Sequence, residues 1–175
     1  MAISVINSQG MKMFILDTAQ AAAITGTPAT DIPLIIEGTG TNSSLTGCPQ
    51  SVGAIEETRA VTEYKCMSTN DTAKALGAIE RGNIEIGLLF DPTDTLGQAE
   101  LKAAFAANVI VGVGIELPDR DISIGSTGVS GTIFYFEGAI SGVSTGIVQD
   151  EAVTYTVTVE IASIVTEYEA VAGTV

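Results

Sequence analysis

The most enzyme-like pattern in the chain is Gly142-Val-Ser-Thr-Gly146, a GxSxG match. Hydrolases use that spacing to hold a serine on a tight strand-to-helix turn, where a histidine takes its proton. The 175-residue chain contains no histidine, so the base is missing. No helical pattern follows, and Ser144 reads as a chance match in a Gly/Ser-rich stretch. Asp119 and Asp121 flank Arg120 and have the charge for a cation or an acid/base pair. Directly after Pro118 they read instead as a solvated turn. Gly112-Val-Gly114 lacks the third glycine and the following helix of a dinucleotide loop. Cys48 and Cys66 form no CxxC pair and read as two free thiols. Asn42-Ser-Ser44 and Asn70-Asp-Thr72 have sequon spacing, which matters only on a secreted chain. The sequence therefore predicts no catalytic residue, no metal site and no cofactor.

Charge narrows the partners. Seven basic residues face 21 acidic ones, a formal net charge of −14. Stable nucleic-acid binding draws on Lys and Arg at phosphates, so this balance argues against it, and against anionic membranes. Only 16% of residues are charged while 46% are apolar. The usual charged share is about 25%, so either the few charges cover a large apolar interior or much surface is buried against partners, which argues for an oligomer. Residues 1–10 lack a basic segment followed by an apolar one, and no apolar run approaches the ~18 residues of a bilayer span. The expectation is a protein synthesised without a leader and kept out of membranes.

Periodicity then supplies the elements. Met11–Asp17 reads as a strand and Ile32–Glu37 as a short second one. Gly38–Gly53 is the most loop-like stretch. Thr58–Cys66 is a strand rich in Thr, Val and Tyr, Ser68–Gly77 a long polar excursion, and Ile79–Phe90 a returning strand. In the latter Ile84, Ile86, Leu88 and Phe90 share a face, with Asn83, Glu85 and Gly87 opposite. One helix is predicted over about 95–107, with Thr95 and Gln98 as a capping box. Its apolar stripe is Leu101, Ala104, Phe105 and Ala107, and Asn108 ends it. Strands follow at Val109–Leu117 and Gly131–Gly138, then a Gly/Ser-rich stretch that keeps Ile140, Val143 and Ile147. Glu151–Ala162 alternates Val153, Tyr155, Val157, Val159 and Ile161 against Thr154, Thr156, Thr158 and Glu160. The prediction is one α+β domain over 1–175, mainly antiparallel β, a sandwich or barrel with one flanking helix and a long hairpin over about 58–90. An N-terminal arm (1–10) and an extended loop (38–53) complete it.

Four of the seven basic residues, Arg59, Lys65, Lys74 and Arg81, fall in that hairpin among Glu56, Glu57, Glu63, Asp71, Glu80 and Glu85. This reads either as an ordinary mixed-charge surface or as an interface whose charges set the register between neighbours.

The order of elements resembles the major tail tube protein of long-tailed, non-contractile bacteriophages. The resemblance runs over about Met11–Ala170. It is carried by the Thr58-Arg59 strand, Gly82-Asn-Ile-Glu-Ile-Gly-Leu-Leu-Phe90, Asp91-Pro92 leading into Gly97–Ala104, the Ile115–Asp119 strand end, Phe134-Tyr-Phe-Glu-Gly138 and Tyr155–Ile161. No single motif is diagnostic; the specificity lies in the succession of several weak ones. The resemblance implies a structural virion protein made in the host cytoplasm, without enzymatic activity. Six copies would make a ring, rings would stack into a tube, and double-stranded DNA would pass through without stable binding. Tape-measure, tail terminator and distal tail proteins would be its other partners.

On that resemblance the candidate lumen residues are Glu63, Asn83 and Glu85, with Thr154, Thr156, Thr158 and Glu160 as the competing set. Candidate inter-ring contacts are Asn70, Asp71 and Lys74 in one loop, Asn42 and Ser43 in another, and the N-terminal ten residues. The Gly38–Gly53 stretch is longer than the simpler members need. Two alternatives stand beside this reading. One is the inner tube of a contractile tail or secretion-type needle. The other, from a different class, is a β-barrel that binds a small apolar ligand, against which the absence of Trp weighs.

Overall fold

The structure is a computed structural model, and it describes residues 10–27, 31–32, 35, 44–45, 49–65, 72–94, 97–119 and 131–169. The strands are β1 (Lys12–Leu16), β2 (Ser44–Leu45), β3 (Pro49–Val52), β4 (Glu57–Lys65), β5 (Thr72–Arg81), β6 (Asn83–Leu89), β7 (Ile110–Glu116), β8 (Ile133–Gly146), β9 (Thr154–Ile161) and β10 (Thr166–Tyr168). The helices are α1 (Thr18–Ala21) and α2 (Gly97–Ala107). The chain is α+β and mostly antiparallel, as its alternation predicts.

Eight strands form one sheet in the order β2-β1-β7-β8-β9-β6-β3, with β10 also on β8. The 14-residue β8 organises it. Its first half pairs with β7, from Glu116↔Ile133 to Ile110↔Ala139, and its second half pairs with β9, from Gly138↔Ile161 to Gly146↔Thr154. The sheet bends over on itself along this strand and stays open, with β2 and β3 at its ends. Its inner faces share one core of Met13, Ile15, Ile84, Ile86, Leu88, Val113, Phe136, Val157 and Val159. Each such aliphatic side chain contributes about 1.5–3 kcal/mol on burial.

A second, smaller core lies on the outside of the β1-β7-β8 half: Phe14, Leu16, Ile133, Tyr135 and Tyr168, covered by Ile32 and Ile35. The segment predicted as a strand at 32–37 is different here. Its described residues, Asp31, Ile32 and Ile35, are helical, and both isoleucines turn down onto the sheet. Isoleucines three apart fit one helix face as well as a short strand, so tertiary contact decides. With both faces covered, β7 is buried from Val111 to Glu116 and does not alternate. Gly114 is small by necessity, since a Cβ there would sit 2.6 Å from Cγ2 of Ile35.

The hairpin predicted over about 58–90 is here a β4-β5 ribbon over 57–81, and the predicted strand Ile79–Phe90 divides at Gly82 between the end of β5 and β6 of the main sheet. Residues 72–78 belong to β5 and not to a polar loop: Thr72–Leu76 pair with β4, as in Val61↔Leu76, Glu63↔Lys74 and Lys65↔Thr72, and the register shifts at Gly77-Ala78, opposite Ala60. Hydrogen bonds from Gly53 N to Glu85 O (2.7 Å) and from Gly82 N to Glu56 O (3.1 Å) link this ribbon to the β3/β6 pair below it. The hairpin thus has its base at the main sheet, and among the described residues its two strands pair only with each other. Nine residues of β4 at about 3.3 Å each project roughly 30 Å.

Helix α2 also differs in detail. Asp94 caps it, Oδ1 accepting from Gly97 N (2.7 Å) and Oδ2 from Gln98 N (3.0 Å). Thr95 lies outside the described residues. Gln98 is buried and serves the sheet: its Nε2 donates to Leu89 O (2.6 Å) and its Oε1 accepts from Asp91 N (3.1 Å). The buried stripe is Gly97, Gln98, Leu101 and Ala104, whereas Phe105 is 41% exposed. Asn108 ends the helix with a left-handed φ of 52°, as predicted. Helix α1 is not among the predicted elements; Asp17 and Gln20 form its capping box.

Candidate functional site

Alternation along β6 and β9 sends apolar side chains into the core and polar ones outward. Register then joins the two outward rows. Asn83 pairs with Glu160, Glu85 with Thr158 and Gly87 with Thr156. On the far side of β9, Gly142 pairs with Thr158 and Ser144 with Thr156. On the far side of β6, Ser51 of β3 pairs with Gly87. Asn83 and Glu85 of the first candidate lumen set and the Thr154–Glu160 row of the competing set therefore share one surface. It also contains Ser51, Gly87, Gly142 and Ser144, which sequence reasoning does not select. Their pairing partners lie tens of residues away or carry no local signal that marks them.

The chemistry of this face is narrow. It carries small hydroxyls, glycines and an amide, with Glu85 and Glu160 as its charges. Strands β3, β6, β8 and β9 contain no Lys or Arg. Gly87 keeps the surface flat, since a Cβ there would meet the Ser51 hydroxyl at 2.5 Å. Ser144 of the GxSxG match sits within β8, not on a strand-to-helix turn.

Glu63 is not on this face. It lies on the β4-β5 ribbon and pairs with Lys74 Nζ at 2.9 Å, while Glu57 pairs with Arg81 at 2.9 Å. Lys74 is likewise a strand residue. Asn42, Ser43, Asn70 and Asp71 lie outside the described residues, as do the N-terminal residues 1–9. The described ribbon is exposed along its length on both faces, apart from its last residue, Arg81. It displays Val61, Tyr64 and Leu76, which are 52–66% exposed. They stand on a two-stranded ribbon that has no third strand among the described residues.

Behind the sheet, a buried carboxylate pins the covering segment. Asp31 is fully buried and accepts from Thr25 N (3.0 Å), Thr25 Oγ1 (3.2 Å), Gly26 N (2.6 Å) and Tyr168 Oη (2.9 Å). Burial alone would raise its pKa; the hydrogen bonds outweigh that and hold it below the usual 3.8. Tyr168 is pushed up by burial, then by its bond to Asp31 and by that negative charge. Asp119 ties the residues after β7 to those before β8, accepting from Thr132 N (2.7 Å) and Thr132 Oγ1 (2.5 Å). Arg120 and Asp121 lie outside the described residues. No group of three metal-ligating side chains occurs among the described residues. Nor does any helix among them have the length and apolarity to cross a membrane.

No family model and no curated protein matches the sequence. Solved structures do match the fold. A chain of the six-fold-symmetrised anti-feeding prophage baseplate aligns over 97% of this chain and 98% of its own, at a TM-score of 0.67 and 8% identity. A chain of the sheath/tube terminator of PVC, an extracellular contractile injection system, aligns over 96% and 99% at 0.64 and 11% identity. The SPP1 tail tube aligns over 94% and 80% at 0.59 and 11% identity. At these identities the likeness establishes the fold, which is that of tail-tube and tube-terminator chains.

Proposed function

We propose that the chain is a non-enzymatic structural subunit that forms hexameric rings, and that the rings stack into a tail tube. The open face of β3-β6-β9-β8, small, hydroxylated and without a cation, carries this reading. Placed around a channel, it presents Glu85, Asn83, Glu160 and the Thr154–Thr158 row to the lumen. A duplex sliding past finds no ammonium or guanidinium to hold a phosphate, so it is conducted without being bound. The second half of β8, beyond the Ile110↔Ala139 pair that is its last with β7, and β3 at the sheet end leave two strand edges, among the described residues, for neighbouring copies. Ring closure satisfies both. Glu63 and Lys74 are assigned to contacts made by the ribbon. Terminator, tape-measure and distal tail proteins are the expected partners at the tube ends.

Electron microscopy of concentrated protein tests this. Six-fold rings stacked into tubes are expected. A protein that stays monomeric at every concentration and ionic strength would overturn the proposal. The fold likeness to a contractile injection system favours a second reading, the inner tube of such a machine. A sheath gene beside this one would select it; its absence would select the non-contractile tail.

A further inference from the structure

Strand β8 is longer than any of its partners. Strand β7 takes one side of it from Ile133 to Ala139. Strand β9 takes the other, but only from Gly138 onward. The backbone of Ile133–Tyr135 on that second side is left to β10, through Thr166↔Tyr135, Glu167↔Phe134 and Tyr168↔Ile133. Between β9 and β10 the chain is pinned at Glu137. Its carbonyl accepts from Ala162 N (2.8 Å) and Ser163 N (3.1 Å), and its N–H donates to Ser163 Oγ (2.7 Å). Without β10 the start of β8 would be an open edge, a template for any extended chain.

The hold on β10 is short and one-sided. The strand has three residues. Tyr168 is buried in the second core, and its hydroxyl donates to Asp31, 137 residues earlier in the chain. On the other face Val165 and Glu167 line a cavity of about 550 Å³ with Met11, Ile115, Leu117 and Phe134. Unfilled space there forfeits the contacts that would hold the strand from that side. Asp31 also accepts from Thr25 N, Thr25 Oγ1 and Gly26 N. One carboxylate thus grips β10 and the Thr25–Gly26 backbone together, and loss of either grip loosens the other. We propose that β10 is an edge-blocking strap, latched by the Tyr168–Asp31 bond, that opens together with the Thr25–Gly26 backbone while the sandwich stays folded. Closed, it denies the first half of β8 to neighbouring copies and directs them to the second half. That consequence rests on the tube reading; the latch does not.

Native-state hydrogen exchange of the full chain, followed residue by residue, tests the latch. In the wild type the amides of Thr25, Gly26 and the β10-β8 ladder are expected to exchange as one set. That set is expected to exchange about ten-fold or more faster than the β6-β9 ladder, with a weaker response to dilute urea. Tyr168→Phe removes a hydrogen bond to a buried carboxylate and is expected to speed the strap set about ten-fold. Ile86→Val, in the main core, is expected to speed the β6-β9 set about two- to ten-fold and to leave the strap set unchanged. Equal exchange of the two sets in the wild type, or a strap set that responds to Ile86→Val, would overturn the latch.

Tyr168→Ala opens the strap outright. Its β6-β9 amides are expected to stay protected, and its copies to associate irregularly in electron micrographs under conditions where the wild type forms tubes. Loss of that protection would overturn the independence of the strap. Regular tubes from this variant would overturn its blocking role and leave the ring reading intact. A wild type that never assembles would overturn the ring reading and the blocking role together, while the exchange rates still decide the latch.

Discussion

Substituting Asp31→Asn changes one atom deep under the covering segment and leaves its shape. The carboxylate accepts four hydrogen bonds, from two backbone amides and two hydroxyls. An asparagine keeps one acceptor oxygen, enough for Thr25. Its amide group must then face Gly26 N–H, which is itself a donor and cannot turn away. Tyr168 can rotate its hydroxyl and accept. One buried donor is orphaned, at about 1–3 kcal/mol, and the bonds that remain lose their charge assistance. The expected loss is about 2–4 kcal/mol, or roughly 5–15 °C in Tm for a chain of this size. Tyr168→Phe, which removes one donor of the four, is expected to lose less.

The pH dependence gives a second readout. The folded-state pKa of Asp31 lies below the ordinary 3.8, so its contribution is fully present above that value. It is lost as pH falls from 3.8 through the lowered value. Other carboxylates titrate over the same range, and their protonation relieves the self-repulsion of a −14 chain. The comparison of the two proteins removes both effects. The gap between wild type and Asp31→Asn, followed by thermal or urea unfolding, is expected to be full at pH 7 and to shrink below pH 3.8. A variant within about 2 °C of wild type at pH 7, or a gap constant into acid, would refute the reasoning.

Gln98→Ala removes both bonds that tie α2 to the end of β6 and is expected to destabilise by about 1–3 kcal/mol in urea unfolding. Gly114→Val drives its Cβ to 2.6 Å from Ile35 and is expected to cost about 1–3 kcal/mol, with near-ultraviolet circular dichroism of the tyrosines altered. Glu85→Lys with Thr156→Lys is expected to leave subunit stability within about 0.5 kcal/mol, because both side chains are on the open face. Tubes of that variant are expected to retain duplex DNA at low salt and release it as salt rises, whereas wild-type tubes retain none in a co-sedimentation assay.

Two features of the candidate site are legible in the order of the residues. The outward rows Asn83-Glu85 and Thr154–Glu160 follow from period-two alternation, which depends on nothing beyond each strand. The absence of Lys and Arg from those strands is a property of composition, as is the −14 charge that argues against DNA binding. The helical stripe is partly legible: Leu101 and Ala104 obey its spacing and are buried, but Phe105 is 41% exposed. Gln98 shows the opposite error, a polar residue buried because two backbone groups at the end of β6 need partners.

What the sequence alone determined is the class of each strongly periodic segment and the sidedness of its residues, since both arise from backbone geometry within a few residues. Tertiary structure alone decided which rows share a surface. The Asn83↔Glu160 and Ser51↔Gly87 registers join positions 77 and 36 residues apart. It also decided that 72–78 would be strand, that β8 would continue past a register shift at Ser141 through its Gly/Ser-rich half, and that Asp31 would be buried. In each case the stabilising partner lies outside the segment itself, and only folding brings it within hydrogen-bonding distance.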